Sequence, residues 1–411
     1  MIGLQTKLRV PDPWDVTRIG KEAGSQLGWD AIWRDVHSLY KTGLHPAIGL
    51  CIRHRGKVVL DRTVGHVEHV PGAAPGAVTT PDTLFNLFSA SKVLTATIIH
   101  ALAEDGVLDL DERVAHYLPG FEAHGKQGIR LVHLMNHTAG IPNMPQGPDA
   151  FEVLARGRYP LEPLLGLKPV TRVGTTSAYH PVTSWLLLDE IVQAATGKDL
   201  RQVARQRLLE PLGFQHMNYG VSPEDVPRVA KHTYTGPPTP GFMSRIFGRT
   251  IGADLDTAIG LSNHESFLTA ILPSANVVAT GRETTRFLQM LLNGGEIDGT
   301  RVLEERTVRR AVTEVTRVQL DGTFGFPMRY GLGFMMGGDR FSLFGLTTKR
   351  AFGHLGFTNV VVYADPTRDL TVSFLTTGKP MLAPGTLRWY WVLQRIAMMV
   401  PRVQQRAGTS F

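Results

Sequence analysis

Two short apolar runs, Gly49-Leu50-Cys51-Ile52 and Val58-Val59-Leu60, flank Arg53-His54-Arg55-Gly56 within residues 49–65, a pattern that predicts a β-hairpin with the glycine in its turn. A loop rich in proline and glycine follows over 70–81. Residues 84–104 then contain neither glycine nor proline and are apolar on nearly every side, which predicts a buried central helix that ends at Gly106. From 108 to 272 the chain reads as helices and loops with few strand patterns. Helices are expected over 183–196, closed by Gly197, and over 199–210, ending before Pro211. Beyond Thr280, helices over 283–293 and 304–316 enclose a Gly294-Gly295 turn. Strand-like segments follow at 330–336, 351–354, 359–364 and 370–376, and an amphipathic helix over 387–399 comes last.

Strands near the start, more near the end and helices between them predict an α/β (α+β) fold. One antiparallel sheet is completed by both ends of the chain and flanked by helices, and a helical lobe is inserted in it. On this reading residues 1–411 form one catalytic unit. Residues 1–85 and 280–411 make the sheet-containing lobe, and 86–279 a mainly helical one. The segment 235–276, rich in glycine, proline and apolar residues, is expected to shape the substrate pocket.

Composition narrows the class. Apolar residues make up 43% of the chain and charged residues 19%, which excludes a disordered or fibrous protein. The net charge of +7 raises the question of nucleic acid. The densest basic groups, 301–310 and 395–406, lack interleaved aromatics, so a solvated basic face is expected and no nucleic-acid partner. Cys51 is the single cysteine and stands in a strand-like apolar run, which excludes an intrachain disulfide and suits a small core residue. No apolar stretch is long enough to span a membrane. Residues 1–13 are polar and broken by proline, unlike a secretory signal, so a cytoplasmic location is expected. The last helix carries Trp389, Trp391, Leu393 and Ile396 among basic residues; packing on the sheet is expected, with peripheral membrane contact the alternative.

The candidate chemistry begins at Ser89-Ala90-Ser91-Lys92. Residues three apart on a helix share a face, so the Ser89 hydroxyl and Lys92 amine can meet. A serine needs a base to become a nucleophile, and a lysine removed from water can lose its proton near neutral pH. Ser38-Leu39-Tyr40-Lys41 has the same spacing, but Thr42-Gly43 follows at once, which puts it at a helix end where a developing anion is disfavoured. Ser91 adjoins Lys92 on a different face and reads as a packing residue. Tyr179 lies in a polar loop before a helix, where a phenol can relay a proton; packing against that helix is the plainer alternative. Gly353-His354-Leu355-Gly356-Phe357 lies between two strand patterns. Its glycines would let substrate approach the edge strand, and the Phe357 N–H could join that of Ser89 in an oxyanion hole.

These three elements, in this order and at these separations, resemble the serine β-lactamase and penicillin-binding-protein superfamily. The nearest likeness is to class C β-lactamase-like esterases of the family VIII carboxylesterase type. Supporting stretches are Asp82-Thr83-Leu84-Phe85, Asp105-Gly106-Val107-Leu108-Asp109, Tyr117-Leu118-Pro119, His133-Leu134-Met135-Asn136-His137-Thr138-Ala139-Gly140 and Tyr330-Gly331-Leu332-Gly333. The resemblance covers about 45–378. It implies a β-lactamase/transpeptidase-like fold, Ser89 as nucleophile, Lys92 as base and Tyr179 as proton relay. His354, Gly356 and Phe357 would form the edge-strand element facing the substrate. It implies no cofactor and no metal.

Two departures bear on specificity. The family's usual Tyr-x-Asn is Tyr179-His180-Pro181 here, and proline has no side-chain hydrogen bond to offer. Either His180 or Asn276 takes the Asn role, or the substrate has no amide to grip. His354 stands where a lysine would hold a substrate carboxylate, with Lys349 and Arg350 near enough in sequence to replace that charge. The chain has no G-x-S-x-G elbow, no phosphate loop and no H-E-x-x-H zinc motif. The expected function is hydrolysis of small-molecule carboxylic esters through an acyl-serine. The alternatives are acyl transfer to an alcohol, β-lactamase or D-Ala-D-Ala carboxypeptidase activity, and a binding protein on a retired scaffold.

Overall fold

The computed structural model describes residues 7–24, 27–145, 158–340 and 342–403. The basic tail beyond Val403 lies outside them. The elements that position the site are β1 (Thr17–Ile19), α1 (Trp29–Tyr40), β2 (Ala47–His54), β3 (Lys57–Gly65), α2 (Lys92–Glu104), α3 (Thr183–Thr196), α4 (Gly241–Thr250), α5 (Gly281–Leu292), β4 (Met335–Met336), β5 (Phe352–Gly356), β6 (Val360–Asp365), β7 (Leu370–Thr376) and α6 (Arg388–Met399). The strands form one antiparallel seven-stranded sheet in the order β1-β3-β2-β7-β6-β5-β4. Strands from both ends of the chain thus meet where β2 pairs with β7.

Alternation along the strands explains why the central ones read as unbroken apolar runs. Val361, Tyr363, Val372 and Phe374 join a cluster with Trp33 and Val36 of α1 and Val392, Leu393 and Ile396 of α6. Val360, Val362 and Ala364 point the other way, into the cluster built on α2 and α5. With helices on both faces, no strand position is left to be polar for water's sake. The inner face of α6 packs on the sheet as its pattern predicts.

Local rules set several boundaries. Arg55 and Gly56 both take positive φ, 53° and 75°, the twist a two-residue hairpin turn needs. α3 ends at Gly197 in the left-handed conformation. The Thr280 hydroxyl caps α5 by accepting the Glu283 N–H at 3.1 Å.

Other expectations are corrected. The predicted helix over 84–104 begins only at Lys92, after a 3₁₀ turn over Phe88–Ser91, because Phe85–Asn86 pairs as a short strand with Val277–Ala279. Asn218–Tyr219 adds a third strand to that small sheet, inside the region read as helices and loops. The 304–316 helix stops at Ala311, and the Val315 N–H donates instead to the Tyr330 carbonyl. Over 330–336 only Met335–Met336 enters the sheet, since Gly331 closes a turn onto the Phe334 carbonyl. The 199–210 helix is α-helical over Leu200–Ala204 and widens to a π turn over Arg205–Leu209.

Candidate active site

Ser89 sits one residue after Phe88, whose φ is +47°, a backbone conformation that side chains other than glycine seldom adopt. The preceding Asn86 side chain accepts the Phe88 N–H at 3.1 Å and braces this turn. Ser89 is partly exposed, whereas its neighbours Phe88, Ala90 and Ser91 are buried. The turn therefore lifts one hydroxyl out of an apolar wall. Ser91 faces inward and its Oγ accepts the Val277 N–H at 2.9 Å, a structural role. Ser38 is exposed in the last turn of α1, where it bonds the Arg34 carbonyl.

Lys92, in the first turn of α2, is fully buried. Its Nζ lies 3.1 Å from Ser89 Oγ, 2.8 Å from the Pro181 carbonyl and 3.1 Å from the Ser274 carbonyl. Burial holds its pKa well below the usual lysine value. As a neutral amine it can donate two hydrogens to the two carbonyls, which leaves its lone pair for the serine O–H. Backbone carbonyls thus steady the lysine, and neither His180 nor Asn276 hydrogen-bonds it. His180 Nε2 accepts the Ile141 N–H at 2.9 Å. Asn276 receives the Leu272 N–H and donates to the Phe267 and Ala270 carbonyls. It ties the loop that carries Ser274, and so acts on Lys92 only through that carbonyl.

Tyr179 closes the third side. Burial pushes its pKa up, and the Ser89 hydroxyl opposes part of that rise. Its ring lies 5.3 Å from Lys92 Nζ and stacks on Phe324 at 4.7 Å. The backbone is held by Asp321, whose Oδ1 accepts the N–H groups of Tyr179 (3.1 Å), Thr323 (2.9 Å) and Phe324 (3.0 Å). Asp321 Oδ2 accepts the Tyr330 hydroxyl at 2.9 Å, and Tyr330 packs edge-on against His137, itself 4.7 Å from the Tyr179 ring. Sequence reasoning missed Asp321. Its Asx turn onto Thr323 is a local signal, but the reach to Tyr179 is visible only in the fold.

The end of β5 completes the wall. Gly356 lies so close to the turn that carries Ser89 that a Cβ there would stand 2.5 Å from the Leu87 carbonyl oxygen. Phe357 packs on Phe88 at 5.4 Å. His354 is not among the residues lining the cavity, a correction to the expectation: it is buried, its Nδ1 hydrogen-bonds the Leu355 carbonyl at 2.6 Å, and its ring lies 5.9 Å from that of Tyr179. Burial, aided by nearby Lys92, lowers its pKa to about 3, so the ring is neutral. Nor do Lys349 and Arg350 supply the charge. Lys349 pairs with Asp339 at 3.5 Å, and Lys349 and Arg350 line a separate cleft with Glu314 and Pro366. A second buried lysine, Lys379, was also missed; its Nζ lies 4.9 Å from the Phe88 ring centre and donates to the Thr376 carbonyl.

Ser89 and Tyr179 open on a cavity of about 400 Å³. Its lining includes Phe242, Met243, Ile246 and Phe247 of α4, with Phe324, Phe326, Leu355, Phe357 and Met381, and none of its lining residues among those described is charged. A larger cleft, about 470 Å³ beside Ile141, Lys168 and Arg249, is lined by no serine or tyrosine among the described residues.

Comparison with known proteins bears on the family and the fold. The family model described as Beta-lactamase matches residues 36–396. The Esterase/beta-lactamase LipL of Mycobacterium tuberculosis is 31% identical over 322 residues, spanning 72% of this chain and 70% of that protein. Among solved structures, a penicillin-binding protein homologue from Caulobacter crescentus superposes with a TM-score of 0.75 at 23% identity, over 93% of this chain and 99% of that one. A family VIII carboxylesterase superposes with a TM-score of 0.74 at 22% identity, over 92% and 99%. At such identities these two structures speak to the fold alone.

Proposed function

The chain belongs to the β-lactamase family of serine hydrolases, and from that premise we propose that it cleaves carboxylic esters through an acyl-serine intermediate. The observation that carries the proposal is the placement of Lys92, held by two carbonyls with its third direction on Ser89 Oγ, at the wall of an uncharged cavity. In the acylation step Lys92 takes the Ser89 proton as Oγ attacks the ester carbonyl. The N–H groups of Ser89 and Phe357 are assigned to the oxyanion. The Tyr179 hydroxyl gives its proton to the leaving alkoxide and is reprotonated from Lys92. Water then attacks the acyl-serine by the same relay in reverse, releasing the acid and restoring Ser89.

Specificity for neutral esters rests on the absence of charge. A β-lactam or a D-Ala-D-Ala peptide brings a carboxylate, and the residues lining this cavity offer it no cation. Acyl transfer would use the same acyl-serine with an alcohol in place of water. Treatment with a fluorophosphonate followed by peptide mass spectrometry tests the mechanism. One adduct is expected, on Ser89, together with loss of p-nitrophenyl butyrate hydrolysis in Ser89→Ala. An adduct on Ser91 or Ser38, or full activity in Ser89→Ala, refutes it.

A further inference from the structure

The mouth of the cavity is more apolar than an enzyme for small dissolved esters requires. Phe242 of α4 lines the cavity and yet is 65% exposed, and Ile246, one turn on, is 39% exposed. On the opposite lip Met381 and Thr386 line the cavity, and the residue after each turns outward: Leu382 is 57% exposed and Leu387 72%. Trp391, one turn further along α6, is 66% exposed. Four large apolar side chains, Phe242, Ile246, Leu382 and Leu387, thus stand in water on or next to residues that line one opening, and Trp391 extends the exposed apolar surface into a neighbouring cleft that it shares with Ser38 and Arg388. Apolar surface gathered in this way marks a contact face.

The charge pattern says what the contact is with. Neither rim segment carries a carboxylate: no Asp or Glu occurs between Asp225 and Asp254, or after Asp369. Among the basic residues interleaved with the apolar rim, Arg245, Arg249 and Arg388 are exposed. None of the three forms an ion pair among the described residues. Exposed apolar side chains flanked by unpaired cations, with one carboxylate beside Trp391, Asp35, already paired with Arg395, match the interface of an anionic lipid layer. There the apolar groups enter the acyl boundary and the guanidinium groups meet phosphate.

We propose that this rim docks on the surface of anionic lipid assemblies, and that esters with lipid acyl chains pass from that surface directly into the Ser89 cavity. The proposal rests on the esterase reading above for its chemistry, but docking does not. An ester embedded in the layer has its chain already removed from water, so a cavity mouth pressed on the layer lets the chain move between two apolar phases. α6 serves both ends: its inner face packs on the sheet and its first turn carries the lip.

The test is flotation of the full-length protein with vesicles of phosphatidylcholine containing about one-third phosphatidylglycerol, against pure phosphatidylcholine, at low and high salt. Binding at least about tenfold stronger to the anionic vesicles, weakened by salt, is expected. The variant Leu382→Ser/Leu387→Ser/Trp391→Ser changes residues that do not line the cavity. It should lose that binding by about tenfold or more, and lose hydrolysis of a long-chain ester dispersed in the vesicles. Its turnover of soluble p-nitrophenyl butyrate should stay at the parent rate. Arg245→Gln/Arg388→Gln should remove the salt dependence. Equal binding to both vesicle types, or none, overturns docking even where the soluble ester is hydrolysed. Inactivity on every ester with vesicle binding intact refutes the esterase reading and leaves docking standing. Self-association through the rim, seen by light scattering without flotation, overturns docking in favour of a second copy of the chain.

Discussion

Replacing Asp321 separates what holds Tyr179 from what Tyr179 does. The carboxylate is buried and accepts four hydrogen bonds, three from backbone N–H groups on one oxygen and one from the Tyr330 hydroxyl on the other. In Asp321→Asn the amide oxygen keeps the three N–H contacts, and the NH₂ can donate to Tyr330, whose hydroxyl turns from donor to acceptor. The charge assistance is lost, about 1 kcal/mol for each bond between the charged and neutral ranges, and the buried Tyr330 hydrogen loses its acceptor, while relief of burying a charge offsets part of both. A net cost of about 1–3 kcal/mol is expected, with kcat within about tenfold of the parent. Asp321→Ala leaves three buried N–H groups and a phenol without partners, at about 1–3 kcal/mol each before water enters the gap. It should cost roughly 4 kcal/mol or more, and free the Tyr179 loop so that kcat falls at least about thirtyfold while KM changes little. Urea unfolding followed by tryptophan fluorescence gives the first quantity, and steady-state hydrolysis of p-nitrophenyl butyrate the second. An alanine variant as stable and as fast as the parent would refute the positioning role. So would an asparagine variant damaged as badly as the alanine one.

Lys92→Ala and Tyr179→Phe should each lower kcat by at least about a hundredfold, and the double variant should be little slower than either, since groups acting as a unit do not contribute additively; a much slower double variant would mean separate roles. The acidic limb of the kcat/KM profile should report Lys92, whose pKa burial lowers: activity is present above that pKa and lost as pH falls through it, because protonation removes the lone pair. Moving that limb by mutating His354, already neutral through the working range, would contradict the assignment. Each added acyl methylene should raise kcat/KM by up to about fourfold until the cavity is full, from about 0.8 kcal/mol of transfer energy per CH₂; a flat or falling series from acetate to hexanoate would argue against the apolar cavity as acyl site. Short- to medium-chain esters should exceed cephalosporins about a hundredfold in kcat/KM, roughly 2.7 kcal/mol, the scale of one charge-assisted contact and one hydrogen bond; equal turnover would show that the carboxylate is bound by other means.

Much of this protein is written in local pattern. The 49–65 hairpin, α3 with its glycine stop, the run over Leu370–Thr376 and the terminal helix follow from period, turn residues and caps, which act between near neighbours in the chain. Ser89 and Lys92 are legible for the same reason: three positions of spacing bring them together whatever the rest of the chain does. Tertiary structure decided what surrounds them. The start of α2 moved to Lys92 because a strand near Val277 claims Phe85 and Asn86, a pairing of residues about 190 positions apart. Lys92 is held by the carbonyls of Pro181 and Ser274, and any residue type has a carbonyl, so composition could not announce them. His354 was placed on the right strand but turned inward, because the cavity lies on the side of Leu355 and Phe357. Asp321 reaches Tyr179 across 142 residues. Sequence alone fixes such contacts only through the global packing that brings distant segments together, and the cavity, its charge-free lining and its apolar rim are products of that packing.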